Sequence, residues 1–367
     1  MKTLLLPAMT TLLTMLNGVI AADENQQQLR GWFAKQDPDG DGRIARDEAT
    51  GLMKRFFNRN DSNKDGFLDS KELLALAERL ARNNGGNRNG NQNQNQRSYA
   101  SDAKIRSQIP EGVAVELNIA YREGNKAWQL DLARPKEVSA SPRPAIVFVH
   151  GGGWVNGDKR AAGFIGPALQ YASNGYVTVS VNYRLDREIL PCVHDVKCAV
   201  RWLRAHSKEY NIDPQRIGAY GNSAGAHLVT MLGLSHTEPT LEGDGPWQDF
   251  SSKVQAVVAS ATPTRPSFGN GSDEVKNRVA PMSYVSADSP PLLLFHDEAD
   301  RTVPVVNSDD LVKALKAAGA RDITYKRYTN NSGHGVFGRN AKETLPMMEA
   351  FFARTLKPLN RSKKSQD

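Results

Sequence analysis

Apolar and polar positions along this chain follow three regimes. Residues 4–20 are mostly apolar, interrupted by Thr, Pro and Asn, and small residues follow at Ala21 and Ala22. Residues 83–98 hold almost nothing but Asn, Gln and Gly with scattered Arg. From Ser98 onward, apolar runs with strand spacing alternate with runs of helical spacing. Residues 113–117 and 128–132 alternate in and out as half-buried strands. Residues 144–149 form a continuous apolar run and 176–181 a run broken only by Thr178 and Ser180, as expected of strands buried on both faces. A helix is expected over 193–207, and further strands at 216–220, 254–260, 291–295 and 323–328, with a helix over 309–318. Strands that alternate with helices predict an α/β architecture, a mostly parallel sheet covered on both faces.

The first regime has the make-up of a secretory signal peptide, with Lys2, an apolar core and a small-residue cleavage site near Ala21. A membrane anchor is the competing reading, and the stretch is short and interrupted for a span. The expected location of the mature protein is therefore secreted or periplasmic. The 83–98 tract has nothing to bury, and it is expected to be a disordered linker between domains. The formal net charge is +7, part of it in the basic tail at 359–367. No basic stripe with interleaved aromatics is present, which argues against nucleic-acid binding. The two cysteines, Cys192 and Cys198, are too few for a disulfide framework. On one helix they would stand beyond the roughly 7 Å bridging limit and stay thiols, unless Cys192 precedes the helix.

Between the leader and the linker a segment is duplicated, with Phe33 to Asp37 and Phe57 to Asp61 opening the two copies. Each runs into an acidic loop. Oxygen-bearing side chains fall at positions 1, 3, 5 and 12, namely Asp37, Asp39, Asp41 and Glu48 in the first copy and Asp61, Asn63, Asp65 and Glu72 in the second. Position 6 is Gly, and position 7 (Arg43, Phe67) offers a backbone carbonyl. Calcium takes about six to eight oxygens in this arrangement, so a structural Ca2+ is the expected cofactor. Ile44 and Leu68 would pair the loops back to back. Residues 29–82 resemble the EF-hand family, with one departure. Only residues 49–60 separate the loops, so one helix, over about 49–58, would leave the first loop and enter the second. The compact repeat is similar to EF-hand pairs of exported bacterial proteins or to the dockerin repeat, which implies a calcium-dependent protein partner.

Reaction chemistry is concentrated beyond the linker. Gly221-Asn222-Ser223-Ala224-Gly225 sits between an apolar run and a helical one, a strand–turn–helix with serine at its apex. A hydroxyl becomes a useful nucleophile when a neighbouring base takes its proton. His150-Gly151-Gly152-Gly153-Trp154 follows a buried strand, and its glycines leave backbone N–H groups open to a developing oxyanion. Asp300, before Val303-Pro304, is the candidate acid, with Asp297 and Glu298 as alternatives. His334, in a loop of small residues, is the one histidine of the seven that follows both Ser223 and Asp300.

On these motifs residues 105–357 resemble an α/β-hydrolase of the esterase/lipase group with a His-Gly-Gly-Gly loop, similar to the exported branch that contains acetylxylan and feruloyl esterases. The tracts 191–204 and 212–217 share the likeness. The resemblance implies Ser223 as nucleophile, His334 as general base and acid, and Asp300 as the group holding the imidazole. It also implies an oxyanion hole from the N–H groups of Gly152, Gly153 and Ala224, and no cofactor for catalysis. Two departures stand out: Asp297-Glu298 where relatives usually have Gly-Asp, and Asn222 before the serine. The expected domains are a signal peptide (1–21), an EF-hand pair (29–82), a linker (83–98), a catalytic domain (99–358) and a tail. The expected activity is serine carboxylic-ester hydrolysis on short-acyl or carbohydrate-linked esters. A lipase, a peptidase of the same fold and a calcium-dependent binding protein on an inactive scaffold are the alternatives.

Overall fold

A computed structural model describes residues 43–49, 57–58, 61–69, 72, 99–186, 188–265 and 273–356. The leader, Asp37, Asp39, Asp41, the 83–98 tract, the basic tail and residues 50–56 of the expected 49–58 helix lie outside the described residues. The chain divides into two compact units, Met1–Arg97 and Ser98–Asp367.

In the first unit, β1 (Ile44–Ala45) pairs antiparallel with β2 (Phe67–Leu68), with Ile44 opposite Leu68. Both of these side chains are fully buried, as is Phe57.

The second unit opens with α1 (Asp102–Arg106), β3 (Val113–Ala120), β4 (Gln129–Pro135) and β5 (Arg143–Val149). It continues through α2 (Ala162–Ser173), β6 (Val177–Val181), α3 (Leu190–Ala205), β7 (Ile212–Asn222) and α4 (Ala224–Leu234). Then come β8 (Ala256–Ser260), α5 (Asp273–Arg278), β9 (Leu292–Asp297), α6 (Val306–Ala317), β10 (Ile323–Tyr328), α7 (Val336–Arg339) and α8 (Ala341–Leu356). The eight strands of this unit form one sheet in the order β10-β9-β8-β7-β5-β6-β4-β3. Strands from β10 to β6 run parallel, and β4 and β3 are antiparallel additions at one edge.

The central strands read as unbroken apolar runs because each face has its own cover. Val147, Val149, Ala219, Val257 and Leu294 pack with Val193 and Val196 of α3, Leu228 of α4 and Leu311 of α6. Their neighbours Ile146, Phe148, Tyr220, Val258 and Phe295 pack on the opposite face with Phe164 of α2 and with Met348 and Phe352 of α8. Each buried Val, Leu, Ile, Phe or Met among them contributes about 1.5–3 kcal/mol of hydrophobic stabilisation, so the two layers fix the sheet and its strand ends. Cys192 and Cys198 both lie in α3, buried as free thiols. The sequence pattern missed the buried cations of α3. Lys197 Nζ lies 2.8 Å from Glu242 Oε1 and 3.0 Å from the Ser235 carbonyl, and Arg201 pairs with Glu242 as well. Paired in this way, a cation can sit inside without the cost of an isolated charge. Among the described residues, no helix is long and apolar enough to cross a membrane.

Candidate active site at the carboxyl ends of the strands

Because β5, β7, β9 and β10 run parallel, the loops that follow them open on the same edge of the sheet. That edge collects His150, Ser223, Asp300 and His334. Ser223 stands between β7 and α4 with φ 55° and ψ −123°, a backbone conformation that costs a non-glycine residue energy. The two flanking glycines make the turn possible. A Cβ on Gly221 would stand 2.3 Å from the Gly225 carbonyl oxygen, and one on Gly225 would stand 2.1 Å from that of Val149. The strain is held by the sheet, since Ser223 donates its N–H to the Ser260 carbonyl at the end of β8. The result is a hydroxyl lifted clear of the strand end.

His334 Nε2 lies 2.9 Å from Ser223 Oγ, and its Nδ1 lies 2.8 Å from Asp300 Oδ2. These three residues, far apart in sequence, form a continuous hydrogen-bonded line. Asp300 Oδ1 accepts the N–H groups of Thr302 and Val303. His296, fully buried, brings Nε2 to 3.3 Å from Asp300 Oδ2 and to 2.9 Å from the Val303 carbonyl. Burial works against ionisation of Asp300, but the hydrogen bonds from His296, His334 and the Val303 N–H overcome it and hold its pKa well below the usual range. A carboxylate held ionised in this way can orient the ring and stabilise an imidazolium.

Of the alternative acids, Glu298 pairs with Arg327 at the surface. Asp297 is buried and meets backbone and hydroxyl donors of residues 299, 332 and 333. The ring of His334 is met by Asp300.

The glycine loop crosses above the elbow. Gly151 makes the close approach, because a Cβ there would stand 2.7 Å from the Asn222 carbonyl. Gly152 (φ +125°) turns against Asn156, whose N–H it accepts. Gly153 (φ +62°) faces open space. Ala224 is the first residue of α4, where N–H groups have no intrahelical acceptor. The N–H groups of Gly152, Gly153 and Ala224 are not taken up by backbone acceptors in the turns and loops of the described residues.

Two further histidines hold this loop: His150, which the sequence places in it, and His227, which the sequence offers only as a packed helix position. His150 stacks on Tyr183 with Nδ1 2.8 Å from the Gly151 carbonyl. His227, on α4, accepts from Trp154 Nε1 at 3.2 Å and donates from Nε2 to the Val279 carbonyl at 2.6 Å. Burial pushes both pKa values down to about 4, so both rings are neutral near pH 7. No spacing signal links Trp154 to His227, since the fold alone brings them together.

The first unit holds a different set. Asp61, Asp65 and Glu72 offer oxygens that lie within 4.8 Å of one another. Glu72 Oε1 reaches back to the N–H groups of Ser62 and Asn63, and Gly66 donates to Asp61 Oδ2. Asp61 Oδ1 is buried with no hydrogen-bond partner, an orphaned anionic oxygen of the kind a hard cation satisfies. Asn63 and Phe67 belong to the same loop, with Asn63 Oδ1 accepting from Asp65 and Phe67 donating to Asp65. In the first copy, Arg43 and Glu48 are described, and Glu48 accepts the Ala45 N–H. The donor set of the second loop fits calcium.

The second unit is similar to several solved esterases. A truncated carbohydrate esterase from gut microbiota superposes with a TM-score of 0.59 at 26% identity, covering 67% of this chain and 97% of that one. Propionate-bound esterase 2 of Thermogutta terrifontis superposes with a TM-score of 0.58 at 29% identity, covering 68% and 98%. Among curated proteins, Esterase LipC of Mycobacterium tuberculosis is 29% identical over 251 residues, 61% of this chain, which spans 60% of LipC's own length. Residues 130–267 and 267–315, from β4 through the Asp300 loop to α6, match the BD-FAE family model, and the chain belongs to the BD-FAE family.

Proposed function

We propose that this protein is a serine carboxylic-ester hydrolase that works through Ser223, His334 and Asp300. The observation that carries the reading is the line from Ser223 Oγ through both nitrogens of His334 to Asp300 Oδ2. In the first half-reaction His334 Nε2 takes the Ser223 proton as Oγ attacks the ester carbonyl. The N–H groups of Gly152, Gly153 and Ala224 receive the oxyanion. Collapse breaks the bond to the alcohol, which leaves with the proton from His334. In the second, His334 takes a proton from water, hydroxide attacks the acyl-enzyme, and the acid departs as the proton returns to Ser223 Oγ. Asp300 stays ionised throughout and steadies the imidazolium.

Short-acyl or carbohydrate-linked esters are the proposed substrates. The residues flanking the 266–272 segment are polar, and the structural relatives include a carbohydrate esterase and a propionate-bound esterase. The apolar leader supports a secreted or periplasmic location. Calcium bound by Asp61, Asn63, Asp65, Glu72 and the Phe67 carbonyl would order the second acidic loop, with Asp37, Asp39, Asp41, Glu48 and the Arg43 carbonyl as its counterpart. The same pair would carry a calcium-dependent protein contact.

Hydrolysis of p-nitrophenyl acetate against the decanoate, with Ser223→Ala as control, tests the reading. The expected result is preference for acetate and loss of turnover in the variant. Equal rates in the two proteins would remove Ser223 as nucleophile, and preference for decanoate would make the protein a lipase.

A further inference from the structure

We propose that Asp297 is a positioning residue of this site: with Arg339 it clamps Ser332 and so fixes the loop that presents His334 to Ser223. The proposal rests on the esterase reading above.

Asp297 is the last residue of β9 and is fully buried. Its Oδ2 accepts the Ser332 hydroxyl at 2.8 Å and the Ser332 N–H at 3.2 Å. Its Oδ1 accepts the Gly333 N–H at 3.0 Å and the Ala299 N–H at 2.9 Å. From the other side, Arg339 Nη1 donates to the Ser332 carbonyl at 2.8 Å. Every polar group of Ser332 is therefore engaged, and the side chain next in line after Gly333 is the base. The register explains the reach. β9 and β10 pair as far as Asp297 beside Tyr328, so the loop leaving β10 must turn back across the end of β9.

Asp297 has no cation within contact among the described residues, and four donors balance its charge. Burial opposes ionisation, and the hydrogen bonds from Gly333, Ser332 and Ala299 outweigh it, holding the pKa below the usual range. A neutral acid could not accept from all four donors. The same carboxylate also grips Ala299, the residue before Asp300. One group thus sets the spacing between the acid turn and the base loop. Its effect on the reaction is geometric, and a displacement of about 1 Å at a reacting group costs about 100-fold in rate.

The test compares steady-state kinetics on p-nitrophenyl acetate for wild type, Asp297→Asn, Ser332→Ala and Arg339→Gln. Asp297→Asn places an amide N–H against donors and is expected to lower kcat about 10- to 100-fold with KM within about threefold. Ser332→Ala, which loses one of the four bonds, is expected to lower kcat by less. Added to Asp297→Asn it should cost little more, as expected of residues that act as a unit. If kcat stays within twofold of wild type in a folded Asp297→Asn protein, or if only KM changes, the proposal is overturned. Should Asp297→Asn fail to fold, Ser332→Ala and Arg339→Gln decide, and unchanged kcat in both overturns it. Ser223→Ala in the same assay separates the two levels. Turnover that survives Ser223→Ala defeats the esterase reading, while Ser223-dependent turnover indifferent to Asp297→Asn defeats only the clamp.

Discussion

Asp297 and Asp300 in the second unit have both of their oxygens served by fixed donors, from backbone N–H groups, a hydroxyl and two imidazoles. Asp61, Asp65 and Glu72 in the first unit converge on one another, and Asp61 Oδ1 is left buried with no donor. The same functional group is used in two ways. A carboxylate saturated by donors is an instrument of position, while carboxylates that face each other with an unserved oxygen make a site for a cation. The difference lies in what surrounds each group, and it sets what each region should be sensitive to.

The largest effect is expected where a saturated carboxylate meets the base. Asp300→Asn places an amide N–H donor where a carboxylate oxygen accepted from His334 Nδ1, favours the wrong tautomer and is expected to lower kcat by about 10⁴-fold with the fold intact. Stopped-flow or steady-state kinetics with a circular-dichroism control checks this. A loss below tenfold would place the acid elsewhere.

The next effect separates the units by pH. Every histidine lies in the second unit. His150 and His227 have pKa values of about 4 when folded, because burial disfavours the charged ring. Their unfolded value is about 6.5. Between these values the unfolded chain binds more protons, so stability falls as pH drops. The expected slope approaches about 1.4 kcal/mol per histidine per pH unit. Asp297 and Asp300, with lowered pKa, add their loss only below about pH 4. Calorimetry from pH 7 to pH 4.5 should show the second unit's transition moving down steadily, and a flat profile would contradict the buried neutral rings.

A smaller change is expected from Trp154→Phe, which keeps an aromatic ring of smaller size and removes the donor to His227 Nδ1. A buried acceptor left unpaired costs about 1–3 kcal/mol, read as a lowered Tm, with kcat reduced through the glycine loop. The smallest is expected from chelation. EDTA should leave ester hydrolysis within about twofold, because no acidic cluster capable of holding a metal occurs near Ser223 among the described residues. Calcium binding, followed by titration calorimetry, should be weakened by Glu72→Gln, and a large loss of activity on chelation would couple the two regions.

Sequence pattern revealed Ser223 and the sheet, because both depend on local chemistry. A strained apex needs glycine on each side, and a strand covered on both faces needs an apolar run. His334 and Asp300 were legible through order along the chain. Asp297 read only as an alternative acid, since its role depends on where a loop more than thirty residues later folds back. The Trp154–His227 contact and the pairing of Lys197 with Glu242 were invisible for the same reason. Each polar side chain looks like a solvated position until the fold supplies its partner. The glycine run does not show that Gly151 makes the close approach, and its distance to the Asn222 carbonyl is visible only in three dimensions.

The most direct test of the central claim is to treat the protein with paraoxon and locate the adduct by peptide mass spectrometry. A single diethylphosphoryl group is expected on Ser223, formed rapidly in the wild type and slowly in Asp300→Asn. An adduct on another residue, or none in active protein, would contradict it.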